Sequence, residues 1–175
     1  MDRIEGGGRM FQVGDKIFYP MHGAGIIEVM EEKEFLGEKH LYFVLNMMLK
    51  ELNIMVPVEK MSALGIRQVV EADILEQVLA VLHDGKPDLS INAAQRYKMN
   101  TEKMKSGNIY EGAEVIRDLF LISKGKVLGT GDKIMLDQAQ QLLISEIELV
   151  KSLDFDAASE CLKQVLYKEE AQVAP

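Results

Sequence analysis

Gly25-Ile26-Ile27-Glu28-Val29, Leu41-Tyr42-Phe43-Val44-Leu45 and Leu52-Asn53-Ile54-Met55-Val56-Pro57 are short apolar runs rich in β-branched and aromatic residues, with turn residues between them. Such runs fit pleated, half-buried strands. Upstream, Gln12–Pro20 is another apolar segment, with a Gly-Asp turn inside it and a proline stop. Phe35-Leu36-Gly37-Glu38 reads as a hairpin tip, because Gly supplies the positive φ that such turns need. Pro57 closes the last run, since proline cannot donate to a ladder. Four or five short strands in so small a stretch predict a Tudor/SH3-like β-barrel.

The texture changes near Glu71. Ile74, Leu75, Val78, Leu79 and Leu82 recur at helical spacing until Gly85-Lys86-Pro87-Asp88 breaks the pattern. A second helix is predicted from the cap Asn92 to Ser106, with Gly107 as its stop. A third covers Tyr110 to Ser123, a long fourth Asp132 to Leu153, and a fifth starts near Asp154 and carries Ala158, Cys161, Leu162, Val165 and Leu166. The predicted architecture is therefore β then α: a disordered or tag-like stretch (1–9), a Tudor-like barrel (10–68), an all-helical bundle of about five helices (69–168) and a frayed tail (169–175).

Composition narrows the function classes. The chain has 175 residues, a formal net charge of -8 and one cysteine. Cys161 cannot form an internal disulfide or a cysteine zinc cluster, which fits a reducing compartment and a cytoplasmic location. No apolar run approaches the ~18 residues of a membrane span, and Met1–Arg9 lacks the apolar core of a secretory signal. Bulk acidity argues against a protein that coats nucleic acid with its whole surface.

No enzyme site emerges. His22, His40 and His83 lie in different predicted elements, and no metal-ligand spacing is present, so neither a metal nor a cofactor is expected. Gly125-Lys126-Val127-Leu128-Gly129-Thr130-Gly131 misses the phosphate-loop spacing and reads as a connection between helices. Glu31, Glu32 and Glu34 read as a solvated strand edge or hairpin, and Cys161 as a core residue. The basic residues are more informative. Between Gln95 and Lys133 eight positive side chains stand against five acids, most tightly at Arg96, Lys98, Lys103 and Lys105, beside Tyr97. Such a cluster suits phosphate contact. A solvated helix face with intrahelical ion pairs is the alternative.

Several motifs in the same order resemble the CarD/CdnL family of bacterial RNA-polymerase-binding regulators: Asp15–Gly25, Ile54-Met55-Val56-Pro57, Leu64-Gly65-Ile66-Arg67, Arg96-Tyr97-Lys98, Glu102–Gly107, Ala113–Leu119 and Lys133-Ile134-Met135-Leu136. The barrel is also similar to that of transcription-repair coupling factors. The resemblance implies a barrel that docks on the polymerase β subunit, partly by edge-strand pairing, and a helical part that contacts promoter DNA near the upstream edge of the bubble. Together these would stabilise the open promoter complex. It implies no catalysis. It assigns Lys33, Leu45, Met55 and Pro57 to polymerase docking, although Leu45, Met55 and Pro57 fit equally as core or strand-end residues. It assigns Ala93, Arg96, Tyr97, Lys98, Lys103 and Lys133 to DNA. Tyr97 and Asn100 position that surface or serve the fold, and Arg117-Asp118 reads as an internal ion pair. Ala93 occupies the position where family members commonly carry a wedging Trp, and the chain has no Trp. An adaptor that docks on polymerase without productive DNA wedging is therefore the alternative. A monomer is expected, with a strand-swapped dimer as the other possibility.

Overall fold

The structure, a computed structural model, describes residues 11–168. The expectations for residues 1–9 and for the tail after Lys168 lie outside that range. The first half is an antiparallel five-stranded sheet of β1 (Lys16–Tyr19), β2 (Gly23–Phe35), β3 (Glu38–Met47), β4 (Asn53–Pro57) and β5 (Arg67–Gln68), in the order β4-β3-β2-β1-β5. Alternation along the strands turns Ile17, Ile27, Phe43, Leu45, Met47 and Val56 inward, where Phe11, Met61 and Ile66 complete a small core.

β2 runs further than the apolar pattern predicts. It continues to Phe35, paired with β3 from Gly25–Met47 to Phe35–Glu38 apart from a register shift at Glu28, and the turn uses Leu36 (φ 51°) and Gly37 (φ 81°). From Glu28 onward every β2 residue is exposed. This outer arm is held by its ladder rather than by burial, so it leaves no apolar signature. Glu31, Glu32 and Glu34 lie on it, solvated as expected, with Lys39 3.3 Å from Glu32.

The second half comprises α1 (Ala72–Val81), α2 (Ala93–Ser106), α3 (Ile109–Gly125), α4 (Thr130–Lys151) and α5 (Phe155–Tyr167). Their boundaries follow local chemistry. Asn92 and Gln95 form a reciprocal capping box at the start of α2. Asn108 and Asp154 cap α3 and α5. Gly107 ends α2 in the left-handed conformation, and a Cβ there would lie 2.6 Å from Pro20 Cγ, so the end of α2 sits directly on the β1–β2 turn. Cys161 is half-buried against the helical core.

The two halves pack together. Phe18 and Ala24 belong to the same apolar cluster as Leu119, Leu142 and Ile147. Ala24 N–H donates to Ser145 Oγ at 2.9 Å. At the centre of the junction stands Glu146, 1% exposed. Arg67 grips it in a fork, Nη1 to Oε1 at 2.7 Å and Nη2 to Oε2 at 2.9 Å, and Val70 N–H donates to the same carboxylate at 3.0 Å. Arg67 Nε donates to Gly107 O at 2.8 Å, and the guanidinium lies 4.5 Å from the centre of the Phe18 ring. One side chain thus ties β5, α2, α4 and β1 together. The remaining space at the junction is a pocket of about 30 Å³, room for a water molecule.

Candidate functional site

Two surfaces carry the residues singled out by sequence. The first is the edge of the sheet. β4 pairs with β3 from Asn53–Asn46 to Pro57–Tyr42, and it ends the strand order, so its outer backbone groups face no strand among the described residues. Met55 stands on this edge, 38% exposed, and Pro57 is half-buried at its end. Lys33 lies exposed on the outer arm of β2, opposite His40. Leu45 departs from the docking assignment. It is 0% exposed in the core of the sheet, because its position on β3 points inward with Phe43 and Met47. Of the four residues, Met55, Pro57 and Lys33 are available to a partner and Leu45 is not.

The second surface is formed where the start of α2 meets the start of α4. Ala93 opens α2 and is exposed, followed by exposed Tyr97 and Lys98. Lys133 is exposed on the first turns of α4. Lys98, Lys126 and Lys133 make no ion pair among the described residues. The face is therefore locally positive in an acidic chain. The first turn of α4 adds to it, since Gly129 caps the helix without a side-chain acceptor for its free N–H groups.

Arg96 and Lys103 depart from the expectation of free cations. Arg96 is 7% exposed, and its Nη2 donates to Asp132 Oδ2 at 2.7 Å. Its spacing explains this: Arg96, Asn100 and Met104 recur every fourth residue and form the buried stripe of α2. Arg96 therefore fastens α2 to α4 and sets the surface from behind. Lys103 is held by Glu114 at 2.7 Å, across to α3. Lys105 faces Glu102 at 3.9 Å, the intrahelical pairing expected of a solvated face. Asn100 is 4% exposed and serves the fold. Arg117 pairs with Asp118 at 2.8 Å, as its sequence suggests.

Sequence reasoning missed Arg67 and Glu146, which fix the junction. The signal for Glu146 was present: an acid within Leu142-Leu143-Ile144-Ser145-Glu146-Ile147, spaced with Leu142 and Leu149 on one helical face. It also missed Lys126 and Val127, which flank Tyr97 once the α3–α4 connection folds back. Among the described residues no group of His, Cys, Asp or Glu is arranged to hold a metal ion, and no helix is long and apolar enough to cross a membrane. Two titrating groups are clearly perturbed near the lower end of α4. Burial, with the negative Asp154 nearby, pushes the Glu148 carboxyl above its ordinary range. A hydrogen bond to Glu76 raises the Lys151 ammonium.

Comparison with known proteins matches both halves. Residues 11–70 match the family model of the CarD-like/TRCF RID domain, and residues 77–163 match that of the CarD C-terminal domain. A protein of Bacillus subtilis (strain 168) named "Putative transcription factor YdeB" is 47% identical over 144 residues, 82% of this chain and 94% of that protein.

Proposed function

The chain belongs to the family of CarD-like transcription factors, and from that premise we propose that it docks on the β subunit of RNA polymerase through the edge of its sheet and contacts promoter DNA through the α2–α4 face, stabilising the open complex. One observation supports this division most directly. Among the described residues, the packed body offers an open strand edge on one half and exposed, unpaired lysines on the other. An open edge offers backbone donors and acceptors to a partner strand, with Met55 and Lys33 available for side-chain specificity. Unpaired lysines beside helix N-termini suit phosphates. A protein bound to polymerase that meets DNA better in the open state than in the closed one shifts the equilibrium by that difference, with no chemical step. The chain acts in this role as a monomer in the bacterial cytoplasm, held at the nucleoid by polymerase.

Ala93 favours a second reading, in which the chain docks on polymerase as an adaptor and does not wedge the bubble. Its methyl cannot supply a base–aromatic contact. Open-complex lifetime with the cognate polymerase, measured with and without the chain at two salt concentrations, separates them. A longer, salt-sensitive lifetime is the expected result. Intact polymerase binding with an unchanged lifetime would establish the adaptor. Loss of polymerase binding in folded Met55→Ala and Pro57→Ala variants is expected for the docking edge, and undiminished binding would refute that edge.

A further inference from the structure

An apolar trough runs between the α1–α2 connection, the end of α3 and the last turn of α5. Two cavities, of about 400 and 360 Å³, make it up and share Pro87, Leu89 and Leu121. Leu82, Phe120 and Leu166 extend the apolar lining. Leu89 is 74% exposed, and half-exposed Tyr167 meets the Phe120 ring edge-on at 5.2 Å. These side chains form a patch rather than a scatter of single residues. The rim is basic. His83, Lys86 and Lys124 line the first cavity and Lys126 the second, and Lys124 Nζ stands 4.8 Å from the centre of the Phe120 ring. Among the described residues no acid lines either cavity, in a chain whose net charge is -8. Asp84 and Asp88 belong to the same connection but do not line the trough, and Asp88 is engaged by Ser90.

An apolar floor with a basic rim calls for an occupant that carries acids beside apolar residues. A phosphate backbone would satisfy the lysines and leave the floor uncovered. The chain itself carries a fitting segment within reach. Glu169-Glu170-Ala171-Gln172-Val173-Ala174-Pro175 follows directly on α5, whose last turn contributes Leu166 to the lining and sets Tyr167 against Phe120. Seven residues reach about 25 Å when extended. The two acids come first, and in an extended segment Ala171, Val173 and Pro175 share one face. We propose that residues 169–175 dock in this trough of their own chain, with Glu169 and Glu170 at the basic rim and Val173 against Leu89 and Leu121. Weak contacts suffice, because a short tether holds the segment at an effective concentration in the millimolar range. The trough is thus an interaction surface with a built-in occupant, which competes with any other acidic, apolar peptide for the same floor. The inference stands independently of the DNA-contacting function.

The test is paramagnetic relaxation enhancement on the full chain, with a nitroxide on Val173→Cys and the native thiol removed by Cys161→Ala. A spectrum of the reduced label that superimposes on that of the natural chain establishes that the fold is kept. The amides of Leu89 and Leu121 should lose most of their signal, while that of Leu45, in the core of the sheet, keeps its own. The loss should shrink in Glu169→Lys/Glu170→Lys and again when exposed Lys86 is replaced in Lys86→Glu. Full signal at Leu89 and Leu121 would overturn the proposal, as would a loss indifferent to both charge reversals. The same loss in isotope-enriched, unlabelled chain mixed with labelled chain would assign the trough to a second copy and overturn docking within one chain.

Discussion

Replacing Arg67 with Met is expected to be among the most destabilising single changes in the described structure. Arg67 is partly covered, its side chain 16% exposed, while the Glu146 carboxylate it grips is 1% exposed. Without the guanidinium, that carboxylate keeps one protein donor, Val70 N–H at 3.0 Å, and Gly107 O loses its side-chain donor. Breaking a buried pair from one side costs about 3–5 kcal/mol, because the remaining charge stays desolvated and uncompensated. Against a typical total of about 5–15 kcal/mol this is a large share. At roughly 2–4 °C per kcal/mol for a chain of this size, Tm should fall by about 6–20 °C. Urea unfolding followed by far-UV circular dichroism gives the free energy directly. The double variant Arg67→Met/Glu146→Leu discriminates the mechanism. If the cost comes from a stranded charge, the double variant is more stable than Arg67→Met alone. A loss below about 1 kcal/mol for Arg67→Met, or a double variant as unstable as the sum of the singles, would refute the argument.

Three other outcomes are expected. Lys98→Ala and Lys133→Ala should each reduce the slope of log binding constant against log salt by about one, as for the loss of one phosphate contact, in DNA binding by the polymerase-bound chain; an unchanged slope would make both lysines solvated surface. Glu148→Gln should raise Tm at pH 7. Its folded carboxyl titrates above the ordinary value of 4.5, so its stabilising form is the protonated one, fully present below that value and lost as pH rises through the raised one; the gain from Gln should therefore vanish in melts below about pH 4. Gly23→Ala should cost about 1–2 kcal/mol in urea unfolding, since Gly23 has φ +91° and its Cβ would stand 2.9 Å from Ser145 Oγ; a neutral result would mean the β1–β2 turn yields without strain.

What was legible in the sequence followed from local signals. The cap Asn92, the stop at Gly107 and the turn at Gly37 act within a few residues, and each stands where the chain pattern puts it. The apolar runs of β3 and β4 face one buried side and keep their alternation. Elements without a buried side left no such trace. The outer arm of β2 is exposed on both faces, and β5 is two residues long, too short for any periodicity. Charge misled more than hydropathy did. Arg96 counted as a surface cation by residue type, yet its spacing with Asn100 and Met104 put it on the buried face, and only its partner Asp132, far along the chain, makes that burial affordable. Leu45 took its core reading rather than its surface one: it sits on β3 beside the edge strand β4, but strand neighbours alternate, so adjacency to an open edge does not expose a side chain.

The junction matters to the proposed function because a bridge between two partners is only as good as its stiffness. A chain held to polymerase by β4 presents the α2–α4 face to DNA at an effective concentration set by how tightly the two halves are fixed. A flexible linker would spread that face over many positions, and each contact would repay the ordering entropy first. Here the halves share one apolar cluster, and Arg67 joins β5 to both α2 and α4, while Arg96–Asp132 joins α2 to α4 directly. The elements of the α2–α4 face are therefore braced twice, once against the sheet and once against each other. In the proposed role, few lysines among the described residues are free to meet phosphates, so the intrinsic attraction of the face is small and discrimination of an open promoter from a closed one rests on preorganisation.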